Sequence, residues 1–287
     1  MTVDVDKSTL TDLTEIDVER YYEEQSIVYN FSSKNSFHYG IWDSKTSNSQ
    51  QAQENLNRMY GSKLDLNNDD IVLDAGCGIG GPAVFMAENY GVDIIGITIS
   101  GSQVHHARKL ASNSKNKANI QFLQQDYNKT TFKDEHFSKI YAMESSCHAV
   151  DKSIFLKEMY RLLKKGGKFM VTDGFMIKRN LNLKDKKDVE ISVKGMCLPS
   201  LFYFDDFEQE LENAGFTVLE KFDLMKESDI SIRNAWINAL LAYPITKILS
   251  VLNWIPPRFH DTILMGLAQR KLAKKKIAIL GGFLAEK

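Results

Sequence analysis

The chain has 287 residues, of which 43% are hydrophobic and 25% are charged, proportions typical of a globular protein. Lys and Arg number 36 and Asp and Glu number 37, so the formal net charge is -1. Nothing in that balance indicates a nucleic acid as partner. The length is sufficient for one enlarged α/β domain with a cap.

The first residues lack the basic start and apolar core of a signal peptide, which predicts a cytoplasmic location. The three cysteines, Cys77, Cys147 and Cys197, are odd in number and show no C-x-x-C spacing. We therefore expect reduced thiols, no disulfide framework and no metal site. The apolar residues 235–255 are interrupted by polar and proline residues, so no transmembrane segment is expected. Peripheral membrane contact and homo-oligomerisation remain open.

Aromatic residues are dense between residues 18 and 42. Such density is typical of a core, and it also suits a lid over a substrate pocket. We predict an N-terminal extension and substrate lid over residues 1–60. His38 lies among these aromatics as a candidate proton carrier or a hydrogen-bonded core residue. The predicted substrate-binding residues are Tyr21, Tyr22, Tyr29, Phe37, Tyr39 and Trp42.

A glycine-rich loop follows the first predicted strand, in the sequence DAGCGIGGP at 74–82. Glycine allows a sharp turn and close approach of a ligand to the backbone. Gly76, Gly78 and Gly81 satisfy the dinucleotide pattern G-x-G-x-x-G. A dinucleotide site also needs an acid about 20 residues further on to hold the ribose. Thr98 occupies that place, so the nicotinamide or flavin interpretation lacks its ribose partner.

Polar residues stand at the ends of four successive predicted strands. These residues are Asp74, Thr98, Asp126 and Glu144. In an open parallel sheet, ligands bind outside the carboxyl ends of the strands. We therefore expect the four side chains to form one site.

The remaining pattern alternates helices with strands. Helices are predicted over residues 50–60, 103–111, 152–163 and 203–213, and further strands over 169–173, 216–224 and 276–285. Residues 179–190 are predicted to be a solvated, charged connection. A helical insertion over about 228–273 precedes the last strand.

Asp74 before GCGIG, the carboxylate after the third strand and the KGGK turn at 165–168 together resemble class I S-adenosylmethionine-dependent methyltransferases. The resemblance covers residues 70–224 and the last strand. It implies an α/β fold with a Rossmann-like, seven-stranded, mostly parallel sheet flanked by helices. It also implies S-adenosylmethionine as cofactor, bound by a domain over residues 61–287.

Three segments narrow this resemblance. VLDAGCGIGGPA at 72–83, YAMESSCHA at 141–149 and SFHYG at 36–40 look like segments of sterol C-methyltransferases. From MCLP at 196–199 onward, the chain is similar to tocopherol methyltransferases. It thus resembles the isoprenoid-lipid methyltransferases without matching one branch.

The resemblance also implies roles for the site residues. The glycine loop and Asp74 would hold the methionine end of the cofactor. Thr98, where the family usually has an acid, would contact the ribose with Gln103. Asp126 would bind the adenine amino group, with Tyr127 beside the ring. The implied cofactor-binding residues are Asp74, Gly76, Cys77, Gly78, Gly80, Thr98, Gln103, Asp126, Tyr127 and Glu144.

The chemistry of methyl transfer suggests the catalytic residues. The nucleophile must lie in line, within about 3–3.5 Å of the methyl group. Methylation of an alkene leaves a carbocation, which aromatic faces stabilise by about 0.5–2 kcal/mol per contact. A base then removes a proton, and His148, Glu144 and His38 are the candidates.

The leading hypothesis is C-methylation of a hydrophobic, isoprenoid or sterol-like small molecule. An N- or O-methyltransferase acting on an amine, a phenol or a natural-product scaffold is the alternative, since the same histidines could serve it. A non-enzymatic alternative is a module whose apolar helices bind a partner or a membrane surface.

Overall fold

The structure is a computed structural model that describes residues 14–31, 35–199 and 201–287. Seven strands form one sheet in the order β3-β2-β1-β4-β5-β7-β6. The strands are β1 Ile71–Ala75, β2 Asp93–Thr98, β3 Ile120–Gln124, β4 Phe137–Met143, β5 Leu163–Met176, β6 Thr217–Asp223 and β7 Ala278–Glu286.

β7 runs antiparallel to both of its neighbours, and the other strand pairs are parallel. The described residues form nine α-helices. They are α1 Glu15–Phe31, α2 Ser49–Lys63, α3 Gly81–Tyr90, α4 Gly101–Ser112, α5 Lys152–Leu162, α6 Leu183–Gly195, α7 Phe204–Asn213, α8 Met225–Val251 and α9 Pro257–Lys274. The predicted fold class is confirmed.

Helices cover both faces of the sheet, which explains why its central strands are apolar. On one face, α5 and α7 contribute Phe155 and Phe207 to a core that also includes Leu73 and Val171. On the other face, α2, α3 and α4 contribute Leu56, Met86 and Ala107 among others. Packing on both faces holds the parallel strands in place, so that their carboxyl ends lie together at one edge of the sheet.

The strand order reverses between β1 and β4, which lie side by side in the sheet. Chain connections leave these two strands in opposite directions, so a crevice opens outside their carboxyl ends. The glycine-rich loop follows β1 and Glu144 follows β4, directly at that crevice.

The prediction of a solvated connection over residues 179–190 is wrong. Helix α6 begins at Leu183 and packs against α9. Asp188 is buried and forms an ion pair with Lys271 of α9, and buried Asp185 pairs with Lys275, directly after that helix. This charged segment therefore contributes to a helix interface, in which lysines neutralise the buried carboxylates.

Helices α8 and α9 form the insertion between β6 and β7. Among the described residues, the helices lack the combination of length and hydropathy that crossing a bilayer requires. The division of the chain at residue 60 into a lid and a cofactor domain stays a prediction.

Candidate active site

A cavity of about 520 Å³ lies at the carboxyl ends of the parallel strands. Residues from the glycine loop, from the strand ends and from α1 line it together. The predicted site residues that line it are Tyr21, Tyr22, Phe37, His38, Asp74, Gly76, Cys77, Gly78, Thr98, Gln103, Asp126, Tyr127, Glu144 and His148.

The glycine loop forms a cradle on one side of the cavity. The amides of Gly76 and Cys77 both donate to the Ile97 carbonyl at 2.9 Å, which fixes the loop to β2. Gly76 has φ +92, and a Cβ there would lie 2.4 Å from the Cβ of Ser145. Gly78 has φ +52, and no described atom outside the adjacent residues 77 and 79 lies within 4 Å of the position that its Cβ would occupy. The backbone at Gly78 is thus open to a ligand.

Asp74 is buried at the end of β1 and accepts a 2.8 Å hydrogen bond from the Tyr141 hydroxyl. Burial raises the pKa of Asp74 to about 7, and the bond from Tyr141 opposes that shift. Tyr141 lies opposite Asp74 in the β1–β4 register. Sequence reasoning missed this tyrosine because strand pairing, not local pattern, places it there.

Two polar pairs line the side of the cavity near β2 and β3. The Thr98 hydroxyl donates to Oε1 of Gln103 at 2.7 Å, so the two residues act as one unit. Asp126 Oδ1 accepts from the amide of Asn128 at 2.8 Å, which sets the turn that carries Tyr127. The Tyr127 hydroxyl donates to the Ser145 carbonyl.

Glu144 is half-buried and adopts a conformation unusual for a residue other than glycine, with φ +50. Its Oε1 accepts a 2.7 Å hydrogen bond from the amide of Tyr39. Burial, together with the negative charge of Asp173, raises the pKa of Glu144 to about 8. Glu144 is therefore mostly protonated at neutral pH in this structure.

His38 presents a basic nitrogen in the cavity wall. Its Nδ1 lies 2.8 Å from the Tyr39 carbonyl, which can only accept, so Nδ1 carries the proton and Nε2 the lone pair. Nε2 is buried and has no hydrogen-bond partner among the described residues. Burial lowers the pKa of His38 to about 4, which keeps the ring neutral.

His148 joins helix α1 to the loop after β4. Its Nε2 lies 2.8 Å from the hydroxyl of Tyr22 on α1. Burial, and then the positive charge of Lys152, lower the pKa of His148 to about 4. The ring is therefore neutral, and Nε2 is already engaged.

Helix α1 is fastened across the cavity at two further points. Glu23 Oε1 accepts hydrogen bonds from the Ser100 hydroxyl and the Ser102 amide, at 2.8 and 3.0 Å. Gln25 Nε2 donates to the hydroxyl of Thr262 on α9 at 3.3 Å. Helix α1 thus forms a wall held by α4 and α9.

The larger cavity is not lined by Gly80, Tyr39 or Trp42, and Tyr39 lines instead a second, smaller chamber. Gly80 caps α3 beneath Phe122, and the side chain of Tyr29 is outside the described part of the chain. The Tyr39 hydroxyl donates to Oε1 of Gln269 at 2.6 Å, and Trp42 Nε1 donates to the Ser231 hydroxyl at 2.9 Å. The last two side chains anchor residues 39–42 to α9 and α8.

A second chamber of about 90 Å³ adjoins the cavity and shares Glu144 and Met196 with it. Its lining is mostly apolar, with side chains from α6, α8, α9 and β7 that include Ile232 and Leu272. Asp173, which accepts from the Cys147 amide at 2.7 Å, is also in this lining.

Several lining residues were not predicted from the sequence. Asp173 ends the predicted fifth strand, so the rule that selected the other strand ends also applies to it. Helix α9 contributes apolar residues of the insertion, whose sequence pattern does not show which side chains face the sheet. The unpredicted residues include Asp173, Met196, Phe259, Ile263 and Met265.

Known proteins resemble the chain in sequence and in structure. The sterol 24-C-methyltransferase of Saccharomyces cerevisiae is 29% identical over 229 residues, which cover 79% of this chain and 59% of that protein. The chain thus spans about three fifths of that relative's length.

Two solved structures share the fold. The cyclase SpnF has a TM-score of 0.79 at 21% identity, with 96% of this chain and 97% of that chain covered. A mycolic acid cyclopropane synthase solved with SAH and CTAB has a TM-score of 0.77 at 19% identity, covering 94% and 97%. The family model described as mycolic acid cyclopropane synthetase matches residues 12–250. The chain belongs to the mycolic acid cyclopropane synthetase family.

Proposed function

We propose that this protein is an S-adenosylmethionine-dependent methyltransferase that methylates a carbon atom of a hydrophobic, isoprenoid or sterol-like small molecule. One observation carries the proposal: a cavity with a glycine cradle and polar strand ends meets a small apolar chamber at Glu144. Family membership and the sterol methyltransferase relative support it.

The residues of the larger cavity fit this cofactor. The cavity volume of about 520 Å³ is in the usual range for ligand sites. The open backbone at Gly78 and the carboxyl of Asp74 would hold the methionine portion. Thr98 with Gln103 would hold the ribose, and Asp126 the adenine amino group. When bound, the cofactor supplies an electrophilic methyl group on a sulfonium.

The acceptor would lie between the aromatic lid and the apolar chamber. The chamber offers no large polar surface, and apolar walls exclude water from the reacting atoms. Tyr21, Tyr22 and Phe37 line the cavity on the lid side. Their ring faces would stabilise positive charge on the acceptor by about 0.5–2 kcal/mol per contact.

Proton removal would fall to His38 first. Attack of an alkene on that methyl group would form a carbon–carbon bond as the carbon–sulfur bond breaks, and would leave the acceptor as a cation. The cation then loses a proton to a base. His38 Nε2 has its lone pair available, whereas Glu144 is mostly protonated until a nearby cation lowers its pKa. His148 would hold the lid.

The working compartment that we propose is the cytosol. All three cysteines of the chain lie in described parts of the structure and are free and buried. Reduced thiols are typical of that compartment.

The test is transfer of a deuterated methyl group from labelled S-adenosylmethionine to a panel of isoprenoid alkenes, phenols and amines. We expect label on a carbon atom of an apolar alkene, located by mass spectrometry and NMR. Label on nitrogen or oxygen alone would establish the alternative N- or O-methyltransferase and contradict this proposal.

A further inference from the structure

Helix α8 carries a stripe of large apolar side chains that are exposed to solvent. Leu241 is 69% exposed and Val251 is 75% exposed, and Trp254 in the turn after the helix is 74% exposed. We call this surface the α8 stripe. Its members are Ile237, Leu240, Leu241, Ile245, Ile248, Val251, Leu252 and Trp254.

The spacing places the helical members of the α8 stripe on one face. They recur at intervals of three and four residues over four turns, so their side chains lie above one another. The opposite face of α8 packs against the protein through Ser228, Ile232 and Ala239. Contiguous exposed apolar surface of this kind marks an interaction site.

Within residues 230–260 the charged side chains are all positive, and Asp229, just before this range, is paired with Arg270 of α9. Residues 230–260 contain no Asp or Glu, but they include Arg233, Lys247 and Arg258. At 100° per residue, Arg233 projects within the stripe and Lys247 at its margin. Arg233 and Lys247 are both exposed.

We propose that the α8 stripe docks onto an anionic lipid surface. Apolar side chains flanked by Lys and Arg are typical of helices that lie in the interface of a bilayer, and Trp favours the same depth. A second copy of the chain docked through the same stripe would bring like charges together, which disfavours that occupant. A lipid surface with negatively charged headgroups complements the positive charges of the α8 stripe.

The docked face is connected to the candidate active site. Helix α9 packs against α8, and its residues Phe259, Ile263 and Met265 line the larger cavity. Docking would therefore place the cavity beside the lipid from which an apolar acceptor could enter. The lipid-binding proposal itself does not depend on methyl transfer.

Vesicle cosedimentation with the full chain tests the proposal, with phosphatidylcholine vesicles that contain or lack phosphatidylglycerol. We expect binding to the anionic vesicles that weakens as salt is raised. Replacing Leu241, Ile245 and Ile248 together by serine should lower the partition coefficient by at least about tenfold. The matched control is Leu183→Ser, because Leu183 is an 88% exposed residue of α6, outside the stripe.

A charge variant separates electrostatic from apolar binding. Arg233→Gln with Lys247→Gln should lower anionic binding by about tenfold. Circular dichroism and cofactor titration establish that each variant is folded. The proposal would be overturned if the triple serine variant bound anionic vesicles as strongly as the wild type does. It would also be overturned if the wild type bound neither kind of vesicle. A wild-type dimer that the triple variant dissociates, while vesicle binding is absent, would overturn it as well.

Discussion

The Tyr22 hydroxyl lies 2.8 Å from Nε2 of His148, and this contact joins the N-terminal helix to the loop after β4. The two rings meet edge to face at 5.2 Å. Because the pKa of His148 is lowered to about 4, the bond is made by a neutral ring across the physiological range. The contact closes α1 over the cavity.

Tyr22→Phe should weaken the attachment of α1 to His148 while it keeps the aromatic ring that lines the cavity. The loss of one hydrogen bond predicts a fall in kcat/KM for the acceptor of about two- to tenfold. Amide hydrogen exchange in α1 should become faster. Tyr90→Phe is the control, since its hydroxyl contacts only the surface carbonyl of Arg58 among the bonds described. Wild-type exchange and kinetics in Tyr22→Phe would show that the bond does not hold the lid.

Asp126→Asn should weaken cofactor binding selectively. The amide keeps an oxygen for the Asn128 hydrogen bond, so the turn should survive. Loss of the charged acceptor for the adenine amino group predicts a rise in Kd of about ten- to a hundredfold. Calorimetry measures that rise, with Asp134→Asn on the surface as the control. An unchanged Kd would remove Asp126 from the adenine site.

Stability should fall as pH rises from 6.5 to 8. Folding raises the pKa of Asp74 to about 7 and of Glu144 to about 8, from usual values of 3.8 and 4.5. The folded chain therefore holds these protons more tightly than the unfolded chain, and stability is lost as pH approaches the raised values.

His38 and His148 act in the opposite direction but only at lower pH. Their pKa values are lowered from 6.5 to about 4, so stability from these groups rises with pH up to about 6.5. Above that pH these two histidines no longer oppose the loss of stability from Asp74 and Glu144. Urea unfolding at pH 6.5 and 8 should show the decline, and Glu144→Gln should reduce it. If the free energy of unfolding declined with pH as steeply in Glu144→Gln as in the wild type, the raised pKa of Glu144 would be contradicted.

Met196→Phe should narrow the passage between the cavity and the chamber. Met196 lines both spaces, so a larger ring there should lower kcat/KM for bulky acceptors while the cofactor Kd stays constant. Leu219→Phe on the exposed side of β6 is the matched control. Equal losses for small and bulky acceptors would mean that the chamber does not receive the acceptor.

The sequence predicts well those features that depend on local pattern. Strand ends follow from apolar runs and glycine turns, so Asp74, Thr98, Asp126 and Glu144 converge as expected. Local sequence pattern does not reveal contacts between segments that are far apart in the chain. The charges of Asp185 and Asp188 suggest exposure to solvent, but Lys271 and Lys275, more than 80 residues later, pair with them.

The same limit applies within the candidate site. The Tyr141 bond to Asp74 depends on the register between β1 and β4, which local sequence does not specify. The apolar residues of α9 reach the cavity only because the insertion folds back over α6. The acceptor side of the site is therefore less predictable than the cofactor side, which one glycine loop and adjacent strand ends define.

Calorimetric titration of the full chain with S-adenosylmethionine tests the central claim most directly. We predict saturable binding at one site. The bound sulfonium should favour the ionised form of Asp74 and Glu144, so binding should release protons near pH 7 and tighten as pH rises. Absence of saturable binding at millimolar cofactor would contradict the account.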